Sequence, residues 1–309
     1  MNTPSIIFMG TPDFAVPSLK LLHEELGVKA VVSVPDKPAG RGRTLQSSPV
    51  SICAKELNIP LYTPARLKDP DFVSQIASLQ PDIIIVIAFR ILPREVYSLA
   101  KLGAFNIHGS LLPKYRGAAP IQWAIINGEN HTGLTSFLLN DTVDTGNIID
   151  QFSCDIPNDM TSGELFDILK IPAANLSLST CKALINHSVI PQVQNDSDAT
   201  PAPKLFRDDC RINWTKTCSE IHNLVRGTNP KPGAWTIFNN ASLKILKTQC
   251  ITKDIELESG QYLITDNSFL VGTGKGVITL LKIQEEGKPA LAISDFLRGY
   301  RHAREGHFS

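Results

Sequence analysis

No apolar run in this 309-residue chain reaches the roughly 20 residues that a membrane-spanning helix needs. The amino terminus has no basic stretch leading into an apolar segment, so neither a span nor an export signal is expected, and the expected compartment is the cytoplasm. The six cysteines, Cys53, Cys154, Cys181, Cys210, Cys218 and Cys250, form no CxxC pair and have no histidine at metal-ligand spacing. Neither a metal site nor a disulfide framework is therefore expected, and all six are read as reduced packing residues. Formal net charge is zero, which argues against indiscriminate nucleic-acid binding. Internal repeats are absent. GTPDFAVPSLKLL follows the first apolar run but has neither GxGxxG nor a GK[ST] ending, so a dinucleotide or nucleoside triphosphate site is not expected there. It reads as a tight turn with Asp13 set against the dipole of the following helix. GTGKGV, residues 272–277, reads as a hairpin turn.

Hydrophobic residues make up 42% of the chain and charged residues 19%, a balance suited to a soluble protein with a real core. SIIFMG, AVVSV and PDIIIVIAF alternate with helical patterns, one from about Phe14 to Leu26 and one over VSICAKEL. The last of these runs has no polar side to turn to water, so it is expected as a strand buried on both faces. The alternation predicts an α/β domain with an open, mostly parallel sheet, whose ligands bind beyond the carboxyl ends of the strands. GLTSFLLN and GNIIDQFSCDI are two further strands joined by DTVDT, and a helix from about Ser162 to Ile185 closes the unit. The expected boundaries are a first domain over residues 1–187, a linker over 188–205, polar and rich in Pro, Ser and Asp, and a second domain over 206–309. In the second domain a helix from Cys218 to Arg226 precedes short alternating runs, GAWTIF, SLKILKTQC, QYLIT, FLVGTG and GVITLLKIQ, which predict a small closed or half-closed barrel. That domain has 14 Lys and Arg against 11 Asp and Glu, while the rest of the chain has 16 against 19. The surplus is small, since most surface charge serves solvation.

Two stretches carry chemistry. PDKPAGRGRTLQSSPV, residues 35–50, gathers Lys37, Arg41 and Arg43 among glycines and prolines. It reads either as a solvated surface loop or as one that brings guanidinium forks to phosphates, and the clustering favours the second. FNIHGSLLP places Asn106 and His108 on one side of a strand end, by the period of two, and Gly109-Ser110 lets another group come close. Asp144, in DTVDTG, offers a carboxylate that would orient and charge an imidazole. A histidine at a strand end is also a common structural residue, and an aspartate in a hairpin commonly holds its own turn, so spacing alone leaves both readings open.

FMGTPDFAVPSL, KPAGRGR with its trailing SPV, NIHGSLLPKYRGAAPIQWAIINGE, DTVDTGNI, RINW, IHNLVRGTNPKPGAW and GKPALAISDFLRGY together, in this order, resemble the methionyl-tRNA formyltransferase family. The NxHxSLLP and DTG pair is shared more widely, by formyltransferases that use 10-formyltetrahydrofolate, including glycinamide ribonucleotide formyltransferase. The resemblance implies a Rossmann-like formyltransferase domain followed by an OB-like barrel that lies along the tRNA. It implies a catalytic trio of Asn106, His108 and Asp144, and a formyl-folate site lined by Ser110, Leu111, Leu112 and Pro113. It also implies a tRNA-contacting loop, with Arg41 at the acceptor stem and Lys37 and Arg43 beside it. The implied co-substrate is 10-formyltetrahydrofolate, without a metal, the implied partner is initiator methionyl-tRNA, and a monomer is expected. One departure is AFRILP, which lacks the Gly of the family's Ala-Tyr-Gly segment and is one residue shorter, in the loop that borders the folate pocket in this type of fold. Three other readings differ in acceptor or activity: a small-molecule formyltransferase, a formyl-folate hydrolase, and a nucleic-acid-binding protein with a relic catalytic domain.

Overall fold

The computed structural model describes residues 4–39, 44–251 and 255–308. The chain forms two compact units whose segments interleave. The first comprises Met1–Pro120, Thr132–Cys154 and Phe166–Ala202; the second comprises Ile121–His131, Asp155–Leu165 and Pro203–Ser309.

The first unit begins with strand β1 (Ile6–Gly10), all of it buried, and helix α1 (Val16–Leu26). Pro17 suits the first turn of α1, where its missing N–H has no partner to lose, and Gly27 ends the helix at φ +74°. Strand β2 (Ala30–Val32) is followed by β3 (Lys37–Ala39) and β4 (Thr44–Gln46), which pair antiparallel. The region expected to be an irregular loop thus contains a small two-stranded ribbon, and Arg41 and Arg43 lie outside the described residues. Helix α2 (Pro49–Glu56) is capped by Ser48, whose hydroxyl accepts from the Ser51 N–H; β5 (Leu61–Tyr62) and α3 (Pro70–Ser78), capped by Asp69, follow. Next come β6 (Ile83–Ile87), the short α4 (Arg94–Tyr97), β7 (Gly103–His108), α5 (Pro120–Ile126), β8 (His131–Leu138), β9 (Ile148–Asp155) and α6 (Ser162–Ile185). The sheet order is β5-β2-β1-β6-β7-β8-β9, parallel from β5 to β7 and antiparallel from β7 to β8. β6, like β1, is buried at every residue, as its unbroken run of β-branched side chains requires.

Residues 188–202 are not a bare connection. Thr200 and Ala202 hydrogen-bond along residues 115–119, with Ala202 N–H on the Arg116 carbonyl at 2.7 Å and Arg116 N–H on the Thr200 carbonyl at 2.9 Å. Composition identified the stretch as polar and aperiodic, but its order comes from backbone pairing, which leaves no mark in composition.

In the second unit, α7 (Cys218–Thr228) precedes β10 (Ala234–Phe238), β11 (Ala241–Ile251), β12 (Gln261–Ile264), β13 (Phe269–Gly272), β14 (Val277–Glu285), β15 (Leu291–Ala292), α8 (Ile293–Gly299) and β16 (Glu305–His307). The antiparallel order β10-β11-β14-β13-β12-β16, with β15 beside β14, is the expected curled half-barrel. GTGKGV is the β13–β14 turn, as expected. The barrel closes over an aromatic cluster of Phe238, Tyr262, Phe269, Phe296, Tyr300 and Phe308. α7 starts with a full capping box, Thr217 and Glu220 satisfying each other's backbone donors. It packs on α5 at Gly227, where a Cβ would stand 2.6 Å from Ile126, so only glycine permits this approach. The buried Arg226 reaches out of α7 to the carbonyls of Pro157 and Met160, at 3.4 and 3.2 Å, and holds the 155–165 segment.

The cysteines require a correction. Cys218 and Cys250 form a disulfide, because the start of α7 and the end of β11 converge to a Cα separation of 5.9 Å. Thirty-two residues separate them in sequence, a distance that carries no pairing signal. Cys53, Cys154, Cys181 and Cys210 form no disulfide among the described residues. Burial pushes the Cys210 thiol up to about 11, with Asp209 adding to the effect, so it is a packing residue and not a nucleophile.

Candidate active site

β7 delivers the site. Asn106 stands opposite Val86 of β6 and Phe137 of β8, and His108 is the last residue of the strand, opposite Thr135. The sheet's two covered faces fix the backbone here, so the polar side chains at the strand end inherit its rigidity. Asn106 is half-buried and its amide has no hydrogen-bond partner among the described residues. His108 is 5% exposed, its ring meeting the edge of Phe137.

The imidazole's tautomer follows from its partners. Its Nε2 lies 2.8 Å from the Tyr115 carbonyl, which can only accept, so Nε2 carries the hydrogen. In the neutral ring Nδ1 is then the atom with a lone pair, and it faces Asp144 Oδ2 at 3.7 Å. That is ion-pair distance and too long for a hydrogen bond. The same carboxylate oxygen accepts the Gly117 N–H at 2.9 Å, which fixes its direction. Asn106, His108 and Asp144 are thus all at the carboxyl end of the sheet, with Nδ1 uncommitted between the carboxylate and the space outside.

Ser110 to Pro113 form the turn after β7. Ser110 is fully buried and its hydroxyl donates to the Lys114 carbonyl at 2.6 Å. Thr135 ties the turn to β8: its hydroxyl donates to the Ser110 carbonyl at 2.7 Å and accepts the Leu112 N–H at 3.0 Å. From β9, Gln151 donates to the Leu112 carbonyl and to Thr135 Oγ1, both at 3.0 Å. Neither Thr135 nor Gln151 stands out in sequence, since each is one polar residue in a strand; only the strand register, pairing His108 with Thr135, points to them.

The AFRILP segment follows β6, the strand beside β7. Ala88 takes φ +47°, and the chain turns so that Arg90 donates to the carbonyls of Pro64 and Ala65 at 2.9 and 3.1 Å. Arg90 Nε is buried with no partner among the described residues, and burial pulls the guanidinium's pKa down from its ordinary value. Arg66, Leu67, Lys68, Arg90, Ile91 and Pro93 line a cleft of about 340 Å³. Three cations and no carboxylate line it, and Ile91 is 77% exposed there. Arg66, Lys68 and Arg90 were not among the residues singled out in sequence; an arginine three residues after a fully buried strand was the available signal. Of the loop cations, Lys37 is exposed on β3, while Arg41 and Arg43 lie outside the described residues.

Comparison with known proteins finds family matches in both halves of the chain. Residues 5–178 match the family model described as formyl transferase, and residues 204–301 match that of the formyl transferase C-terminal domain. The methionyl-tRNA formyltransferase of Clostridium perfringens (strain 13 / Type A) is 43% identical over 297 residues, covering 95% of this chain and 96% of the relative. That of Porphyromonas gingivalis is 42% identical over 308 residues, covering 96% and 95%. Among solved structures, WlaRD, a sugar 3N-formyl transferase crystallised with dTDP and 5-N-formyl-THF, superposes with a TM-score of 0.69 at 23% identity, covering 94% of this chain and all of that one. An N-formyltransferase from Helicobacter canadensis in complex with folinic acid and dTDP-3-aminofucose gives 0.68 at 23%, covering 91% and 99%. At that identity the structural likeness bears on the fold alone, whereas the sequence matches run nearly end to end. The chain belongs to the formyl transferase family and, within it, to the methionyl-tRNA formyltransferases.

Proposed function

We propose that the chain transfers the formyl group of 10-formyltetrahydrofolate to the α-amino group of methionine carried by initiator tRNA, for the start of translation. The observation that carries this reading is the pairing of His108 Nδ1 with Asp144 at the end of β7, beside the amide of Asn106, which has no hydrogen-bond partner among the described residues. The folate supplies an activated formyl carbon. The residues at hand fit such a donor: Ser110 to Pro113 offer a fixed backbone edge, and Arg66, Lys68 and Arg90 offer the positive charge that glutamyl carboxylates require. A donor shortened to remove its glutamate should therefore bind more weakly, and charge-removing changes at Arg66 should erase that difference.

An α-amino group has a pKa of about 8, so an appreciable fraction, about a tenth at pH 7, is already nucleophilic and a strong base is unnecessary. Asn106 donates its N–H to the formyl oxygen as charge builds there, a contact of a kind worth about 3 to 4 kcal/mol. His108 accepts the proton of the attacking amine at Nδ1, because Nε2 is committed to Tyr115, and returns it to N10 of the folate as the bond from N10 to the formyl carbon breaks and tetrahydrofolate departs. Asp144 stabilises the resulting imidazolium from 3.7 Å without taking the proton itself.

Lys37, Arg41 and Arg43 contact the acceptor end of the tRNA. The second unit offers a further surface: the guanidinium groups of Arg207 and Arg211 lie 4.9 and 5.6 Å from the Trp235 ring centre, and Lys204 lies 5.2 Å from that of Phe206, itself 61% exposed. Cations interleaved with aromatic faces suit phosphates and bases together. The enzyme works as a monomer in the cytoplasm. The test is to supply 10-formyltetrahydrofolate with charged initiator tRNA, with an amino-sugar nucleotide, with glycinamide ribonucleotide, or with no acceptor. Formylmethionine on the tRNA is the expected product; a formylated small molecule or formate alone, with the tRNA unmodified, overturns the reading.

A further inference from the structure

The turn that carries Asp144 is held from below by a residue of the polar stretch after α6. Asp144 takes φ +57°, a left-handed conformation that costs an L-residue about 1 to 2 kcal/mol and persists only where the surroundings impose it. Gln194 imposes it. Its Nε2 donates to the carbonyls of Asp144 at 3.0 Å and Gly146 at 2.7 Å, so both amide hydrogens bracket the turn. Its Oε1 accepts from Arg116 Nε at 3.0 Å and Nη2 at 2.8 Å, and Arg116 also pairs with Asp196 at 2.8 Å. Arginine can only donate, so Oε1 must face it, and this sets both amide hydrogens on the turn. Gln194 is 8% exposed, shielded from water that would compete for these bonds.

The second support of Asp144 comes from the same stretch. Gly117, whose N–H holds Oδ2, lies against Ala202 so closely that a Cβ would stand 2.4 Å from the Ala202 carbonyl oxygen. Tyr115, whose carbonyl holds His108, has its own N–H on the Thr200 hydroxyl at 2.9 Å. Residues 194–202 thus reach His108 and Asp144 by separate routes, Thr200 through the backbone of Tyr115 and Gln194 through the carbonyls of the Asp144 turn.

We propose that Gln194 is a positioning residue for formyl transfer: it holds the Asp144 turn in its left-handed form and thereby sets the distance from the carboxylate to His108. The inference rests on the role given to Asp144 above. Gln194→Met keeps the length of the side chain and removes both donors. It should lower kcat by about 10-fold or more, since a displacement of about 1 Å at a reacting centre can cost 10²-fold, with KM for donor and tRNA within about twofold. In an Asp144→Asn background the same change should lower kcat by less than about twofold further, because a residue that acts through the carboxylate has nothing left to position. Without substrates, amide exchange at Gly117 should be at least about 10-fold faster in Gln194→Met, because its acceptor is no longer held. Gln194→Glu, which keeps the pairing with Arg116 and loses the donors, should behave alike and carries the test if the Met variant does not fold. An equal loss of kcat in both backgrounds, a rise in KM with kcat held, or unchanged exchange at Gly117 overturns the proposal. Full activity of Asp144→Asn alone would instead remove the role of Asp144, while a weakened Asp144→Asn with an unchanged Gln194→Met would remove only the positioning.

Discussion

The two units bury their strands differently. β1 and β6 are covered at every residue, whereas β10 alternates buried and half-buried positions along its whole length. A sheet covered on both faces has its ends left for chemistry, and there Asn106 and His108 emerge, with Asp144 on a nearby turn. A half-barrel with one wet face keeps its interior for packing and leaves a broad outer surface, where Arg207, Arg211 and Trp235 sit. On the function proposed above, the difference separates two tasks: reacting atoms need rigidity to a fraction of an ångström, while a large polyanion needs area and positive charge.

The comparison predicts where a change will be felt as instability and where as lost turnover. Phe269→Ala, in the aromatic cluster of the half-barrel, should lower stability by about 3 to 5 kcal/mol, the usual range for deleting a buried ring. The measurement is denaturant unfolding followed by tryptophan fluorescence, since Trp214 stacks on Phe308 within the same core. A loss below about 1 kcal/mol would mean the cluster is not the unit's core. At the other unit, Asp144→Asn keeps size and removes charge. Its turnover should fall by about 10²-fold with donor affinity within about twofold and stability nearly unchanged. A near-normal rate would leave Asp144 as a residue that holds its own turn.

Smaller effects sharpen the same division. Arg207→Ala should weaken tRNA binding at every sequence tested and lower the salt slope of binding by about one unit, with donor affinity unaffected. A salt slope equal to the parent's would remove Arg207 from the tRNA surface. The smallest expected effect concerns acid. The Thr161 backbone N–H, and then its hydroxyl, hold the Glu164 carboxylate below its usual range. A depressed folded pKa means that this contribution is complete above the ordinary glutamate value of about 4.3 and is lost as pH falls through the lower folded value. Glu164→Gln should therefore flatten the dependence of stability on pH below about 4.3, read from thermal midpoints, and leave the midpoint at pH 7 slightly lower.

The parallel sheet was legible because continuous β-branched runs such as Ile83–Ile87 read as buried strands, and α6 was legible in its approximate bounds from its apolar pattern, although Pro172 stands inside it. The antiparallel barrel was legible from evenly spaced alternating runs. Asn106, His108 and Asp144 could be brought together only as far as period and resemblance allow; the 3.7 Å gap, and the tautomer imposed by Tyr115, depend on where loops meet in space. Gln194 and Thr200 sit in a stretch whose composition fits solvent, and their hydrogen bonds reach partners 48 and 85 residues away. The Cys218–Cys250 bond escaped for the same reason.

The interleaving of the units has a consequence for how the chain is made. Residues 121–131 belong to the second unit and pack on α7, where Ile126 meets Gly227. The ribosome delivers them some 90 residues before α7, which at 5 to 20 residues per second is roughly 5 to 20 s. During that interval Ile126 has no Gly227 to pack against. The second unit therefore cannot form its contact between α5 and α7 as soon as α5 is made. Until α7 emerges the nascent chain carries α5 without this contact, and termination before residue 218 would leave α5 permanently without it.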